Sequence, residues 1–382
     1  NMKQVAVLDV GSSKLELFVG ERGINGTFVI KAKANNSYAG FMDGEFIEPE
    51  NLKKSFNKII GEVENSLNKK IKKLYVGVPA EFLITSEREL KIDFGGKRTK
   101  ITSAHIDKLF NTKFENEYSA THEIINVAPL YYLLSDGTRT LNAVNKYSNN
   151  LRVVASFIYA NNEYINFVLE ILNELNIYDI EFISSPLATA TYLLDEETRE
   201  KGALLVDCGY ISTSVSLCLG EGLQDLRSFS LGGGHITADL SEHLNLPFFS
   251  AELLKRKTLL CIDADDDDYY EVNVENKIVK VGAKITNNIV LSRIDTICNT
   301  IEKCIELFDY TIPENMKIYL TGGGISYIKG AKDYMQEVMN RKIEIVSPWP
   351  PQLNMPELSG IVGLLDTALY MEQNSKYKYF KS

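Results

Sequence analysis

Apolar and polar residues alternate in a regular beat at the head of this chain. An apolar run over residues 5–8 ends in Asp9, the turn residues Gly11, Ser12, Ser13 and Lys14 follow, and from Leu15 the pattern alternates onward to Gly20-Glu21. The same signals return near the middle. An apolar run from Ala203 ends in Asp207, then come Gly209 and the hydroxyl residues Ser212 and Thr213, and an alternating stretch leads to Gly220-Glu221. The second copy is longer by two residues, assigned here to its turn. Period-two alternation of this length marks half-buried strands, so each copy predicts strand, tight turn, strand.

Between the copies the pattern predicts strands at 26–31 and 73–78 and a helix at about 50–68. A polar, basic stretch at 86–100 breaks it and introduces a module: a helix near 103–111, strands at 123–128, 131–134 and 151–159, and a turn at Asp136-Gly137. Its expected core is Ile106, Leu109, Phe110, Ile124, Ile125, Val127, Val153, Val154 and Phe157. A crossover helix at 163–175 follows. Past the second hairpin, 236–244 and 251–257 read as helices and 261–281 as a small strand module. A helix at 290–308 puts Ile294, Ile297, Cys298, Ile301, Cys304, Ile305 and Phe308 on one face, a stripe that reads as core. Lys317 to Leu320 is a short apolar strand running into Gly322, Gly323 and Gly324, and a helix at 329–338 comes next.

Composition narrows the class. The 382 residues are 45% hydrophobic and 24% charged, enough for two or three domains with sizeable cores. A net charge of −10 leaves no dense basic field for nucleic acid. The five cysteines form no CxxC and no metal-ligand spacing, and read as reduced core residues. No run of eighteen apolar residues occurs, and a strand begins almost at once after Asn1-Met2-Lys3, so neither a membrane span nor a signal peptide is expected and the chain reads as cytoplasmic. The acidic run at 263–268 lacks the Gly at the sixth and the Glu at the twelfth position of a calcium loop, and reads as a solvated hairpin tip.

The duplicated hairpin carries the chemistry. Glycine turns let backbone amides approach an anion, and an aspartate closing a strand suits a hydrated divalent cation. Two such hairpins face to face would grip a nucleoside triphosphate and its metal. In that reading Lys14 places a positive charge on the β- or γ-phosphate, and the amides of Gly11, Ser12 and Ser13 cradle the same oxygens; otherwise Lys14 is a surface lysine. Asp9 and Asp207 hold Mg²⁺ through waters, or merely hold their turns. Gly322, Gly323 and Gly324 offer bare backbone to a base or sugar, or form only a tight connection. Glu252 and Lys255, three apart on a helix, share a face, which also fits a plain surface ion pair.

Together with 231–240, 251–255 and 359–365, these stretches resemble the actin, heat-shock chaperone and sugar kinase ATPase superfamily, and within it the FtsA family of bacterial cell-division proteins. The resemblance runs over nearly the whole chain. It implies an α/β, actin-like ATPase fold: two duplicated RNase H-like domains, with an FtsA-type 1C insertion and a small 2B subdomain. The implied divisions are 1A at 1–83 and 161–198, 1C at 84–160, 2A at 199–245 and 313–358, 2B at 246–312, and a C-terminal helix at 359–382 returning to 1A. ATP and Mg²⁺ are the implied ligands. Gly209, Ser212, Thr213 and Gly233 join the phosphate side, while Glu252 and Lys255 reach the ribose and the adenine edge.

Two departures stand out. Tyr210 and Ile211 occupy positions where the family carries further glycines, and Ser185 stands where efficient members place an acid that orients water. Hydrolysis is therefore expected to be slow or negligible. By resemblance the chain self-assembles into filaments, binds the C-terminal tail peptide of FtsZ through 2B, where Lys277, Lys280, Lys284 and Arg293 are available to it or else form a solvated face, and works at the inner face of the membrane at the division septum. Residues 377–382 are too few to bury an apolar face in lipid, so membrane contact is expected only through a missing tail or a partner. A PilM-like scaffold of type IV pilus assembly is the nearest alternative; a small-molecule kinase is less favoured, because no acceptor-site cluster is visible.

Overall fold

The chain repeats not only a hairpin but a whole sheet. In the computed structural model, which describes residues 3–374, the first five-stranded sheet runs Asp179–Ser184, Lys73–Val78, Val5–Val10, Lys14–Arg22, Phe28–Ser37. The second runs Ile343–Ile345, Ile318–Thr321, Ala203–Cys208, Thr213–Leu219, Gly222–Phe229. In both, the strand that carries the aspartate is central, parallel to one neighbour and antiparallel to its hairpin partner.

Strand register corrects one expectation. Asp9 pairs with Glu16 and Asp207 with Ser214, so the two turns are equally long. The extra residues of the second copy lie beyond the turn. Gly20 is inside its strand opposite Val5, whereas Gly220 sits between strands with a left-handed φ of 59°. The two Gly-Glu pairs are not equivalent. Register instead equates Leu15 with Thr213, and Lys14 and Glu16 with Ser212 and Ser214.

Each sheet is covered by helices because its strands are apolar on both faces. On one face of the first, Leu8, Leu17 and Val76 pack with Phe56 and Ile59 of helix Pro49–Leu67 and Val168 of helix Asn162–Glu174. On the other, Val7, Phe18 and Tyr75 meet Ile361, Leu364 and Leu365 of the closing helix Ser359–Gln373. The second sheet buries Val206 and Leu217 against Ile236, Leu254 and Ile297. The last of these is on helix Ala283–Leu307, which begins seven residues before the expected start at 290.

The segment at 84–160 builds a separate four-stranded sheet, ordered Arg139–Thr140, His122–Leu133, Asn150–Asn161, Leu83–Asp93. Ile106, Leu109, Phe110, Val127, Val153 and Phe157 share a cluster of their own, but Ile125 joins the core of the first sheet. The stretch expected to break the pattern at 86 is strand Leu83–Asp93, paired with Asn150–Asn161 from Leu83 to Asp93. It is an edge, and its charged residues suit one, since they discourage pairing with another chain. Two expected strands are one, His122–Leu133. Pro129 lies at a register shift, where its missing N–H costs the ladder least.

The acidic run is not a hairpin tip. It precedes the hairpin Tyr269–Val274 and Lys277–Gly282, whose tip is Glu275-Asn276, both at positive φ. Among the described residues no group of three or more His, Cys, Asp and Glu side chains is placed to hold a metal, and no helix is long and apolar enough to cross a membrane. The tail discussed at 377–382 lies outside the described residues.

Candidate nucleotide site

Both hairpin turns open into one cavity of about 590 Å³ between the two sheets. Asp9, Gly11, Ser12, Ser13 and Lys14 line it from one side, Asp207, Gly209 and Ser212 from the other, and Glu252, Gly322 and Gly323 at a third edge. These expected residues, spread over most of the chain, meet in one place.

The turns are fastened internally. Gly11 donates its N–H to the Lys14 carbonyl at 2.9 Å, and Gly209 does the same to Ser212 at 2.9 Å. The Gly11 amide is thus spent inside its turn, which corrects the expectation that it faces phosphate. Each turn also reaches across the cleft. Ile211 N–H donates to Ser12 Oγ at 3.1 Å, and Ser212 Oγ donates to Glu81 Oε1 at 2.7 Å. Gly40 completes the approach: at φ 87°, a Cβ there would lie 1.9 Å from the Ser12 carbonyl.

Asp9 and Asp207 sit deep in the cavity wall. They touch its open volume, yet the surrounding protein removes most bulk water. Burial, then the charges of Glu16 and Asp207, push the Asp9 carboxyl up to about 7. Burial pushes Asp207 up to about 6. Two glycines make room for these carboxylates: a Cβ at Gly360 would stand 2.8 Å from Asp9 Oδ2, and one at Gly322 would stand 2.5 Å from Asp207 Oδ1. Paired acids with raised carboxyls suit a hydrated divalent cation, which keeps its waters and needs only one or two protein carboxylates.

Four expected ligands are placed elsewhere. Thr213 is fully buried and donates to the Leu231 carbonyl at 2.7 Å, because alternation turns it to the core and leaves Ser212 and Ser214 on the cavity. Lys255 is 1% exposed; its Nζ donates to the Gly233 carbonyl and to Glu252 Oε2, each at 3.0 Å, instead of reaching into the cleft. Gly233 and Gly324 pack backbone on backbone: Gly233 N–H donates to Gly209 O at 2.9 Å, Gly324 N–H to Cys208 O at 2.8 Å, and a Cβ on Gly233 would meet Gly324 O at 2.6 Å.

Other residues take those places. Arg256, one position past Lys255, lines the cavity and sits 3.5 Å from Glu252 Oε1. Burial would raise Glu252, but the Lys255 ammonium, the Thr237 hydroxyl and Arg256 outweigh it and hold the carboxyl below its ordinary value. Glu16, Tyr38, Glu81, Ser214, Glu357 and Gly360 also line the cavity. Only Glu16 and Ser214 had a usable signal, the period of two that puts them on the face of Lys14 and Ser212. Ser185 lines the cavity too, and its buried hydroxyl finds no partner among the described residues.

Comparison with known proteins agrees with the resemblance drawn from the motifs. The model of the family "Cell division protein FtsA" matches residues 204–363. The chain is 22% identical to the cell-division protein FtsA of Buchnera aphidicola subsp. Baizongia pistaciae, over 99% of this chain and 95% of that one. It is 21% identical to FtsA of Bacillus subtilis, over 94% and 82%. Among solved structures, the PilM–PilN type IV pilus biogenesis complex aligns with a TM-score of 0.63 at 18% identity, covering 97% of this chain and 99% of the other. MreB5 of Spiroplasma citri bound to ADP aligns at 0.58 and 12% identity, covering 98% and 99%. The chain is FtsA-like in sequence and has the actin-like ATPase fold.

Proposed function

We propose that this chain is an FtsA-like, ATP-binding protein whose nucleotide state controls self-assembly and which links the FtsZ division ring to the membrane. One observation supports this above the others: two equivalent hairpins bring paired, buried aspartates and a lysine to a single cavity between duplicated sheets. Lys14 and the Ser12 and Ser13 amides would meet the outer phosphates, with Ser212 opposite. Asp9 and Asp207 would hold Mg²⁺ through water, and the ion would neutralise phosphate charge. The Ser185 hydroxyl cannot serve as a carboxylate base, so turnover is slow and the bound state persists.

The likeness to FtsA cell-division proteins supports the division reading; the likeness to PilM supports the second, a pilus-assembly scaffold that binds a short peptide. Sedimentation with and without Mg-ATP, followed by titration with an FtsZ C-terminal tail peptide, separates them. The division reading expects nucleotide-dependent pelleting and peptide binding. A protein that stays in solution under both conditions and ignores the peptide would sink it.

A further inference from the structure

Tyr210 lines the cavity beside Glu252, and the fold holds it there. Its carbonyl accepts the Gly234 N–H at 2.7 Å, while the next residue, Ile211, donates to Ser12 Oγ at 3.1 Å, so the backbone on both sides is fixed. The ring lies against Gly234, where a Cβ would come within 2.8 Å and 2.9 Å of ring carbons. The Lys255 ammonium is 5.2 Å from the ring centre, and the phenol reaches Glu252 Oε2 at 3.4 Å. That last distance is long for a hydroxyl–carboxylate bond. Packing against Gly234 and the Lys255 cation therefore holds the ring more than the phenol does.

Glu252 is the carboxylate at this edge of the cavity; its Oε2 already receives Thr237 and Lys255, and its Oε1 faces Arg256 at 3.5 Å. A ribose hydroxyl needs a free lone pair on that group and the space beside it. We propose that Tyr210 masks Glu252 from the sugar, so that the site reads the phosphates and the metal and is nearly indifferent to the ribose hydroxyls. This rests on the nucleotide reading above. Tyr210 is then the residue that sets specificity at the sugar, and removing its ring restores recognition of the diol.

Calorimetric titration of the full chain with Mg-ATP, Mg-2′,3′-dideoxy-ATP and Mg-tripolyphosphate tests it, using the unmutated protein, Tyr210→Phe and Tyr210→Ala. The unmutated protein and Tyr210→Phe should bind ATP and its dideoxy analogue within about twofold of each other. Tyr210→Ala should bind ATP more tightly and prefer it over the analogue by roughly tenfold, the size of one hydrogen bond to a charged group. Its affinity for tripolyphosphate should not change. Weaker ATP binding by Tyr210→Ala, or no gain in discrimination, overturns the masking role while leaving the nucleotide reading intact. Failure of the unmutated protein to bind either ATP or tripolyphosphate overturns both. Thermal melts of each variant establish that the proteins compared are folded.

Discussion

At pH 8 an ionised Asp9 beside Glu16 and Asp207 is a cost that the fold carries until a cation arrives. The sign follows from the raised carboxyls. Their stabilising protonated forms are fully present below the ordinary aspartate range and are lost as pH rises through about 6 for Asp207 and about 7 for Asp9. The apo protein should lose stability over that window, and Mg-ATP should stabilise it more at pH 8 than at pH 5. Asp9→Asn should raise the apo melting temperature at pH 8 and abolish most of the Mg-ATP shift, which melts at both pH values check. Thr213→Val makes the opposite test. Leaving the half-buried Leu231 carbonyl without its donor should cost about 1 kcal/mol in a denaturant titration with little effect on nucleotide affinity. A lost affinity would return Thr213 to the phosphates.

Residue-level legibility followed the range of the signal. Asp9, Lys14 and Asp207 stand at turns that alternation marks locally, and they were readable. Thr213 was misplaced because aligning the two Gly-Glu pairs hid the true register, in which it matches buried Leu15. Glu81, Glu357 and Gly360 reach the cavity only through tertiary packing, so no local period could point to them.

At the scale of elements, the hairpins and long helices were legible because one face of each is apolar. Strand Leu83–Asp93 was not: as an edge it exposes Glu87, Glu89 and Lys91, and it reads as a linker. Its module also touches more than its chain connections. Ser156 Oγ donates to the Leu223 carbonyl at 2.7 Å, the Glu221 N–H to Pro129 at 3.0 Å, and Tyr310 hydrogen-bonds Glu87, all from the second half of the chain. Excising 84–160 would uncover Leu223, which is 1% exposed, and should lower the melting temperature. Every residue that lines the cavity lies outside the excised segment. The Mg-ATP shift should therefore survive while pelleting is lost. A soluble product blind to Mg-ATP would show that the module shapes the cleft; undiminished pelleting would remove it from assembly.

For the whole molecule, the duplicated sheet is the central fact. Two copies of one topology present their hairpins to each other, and the acids, Lys14 and Glu252 meet only because both halves close on one cavity. That convergence is what the nucleotide reading stands on. It is tested most directly by thermal melts with and without Mg-ATP, because a ligand bound only by the native state stabilises it by mass action. The unmutated protein should melt several degrees higher with Mg-ATP, and Lys14→Ala and Asp207→Ala should fold yet lose most of that shift. Superimposable curves for the unmutated protein would contradict the account.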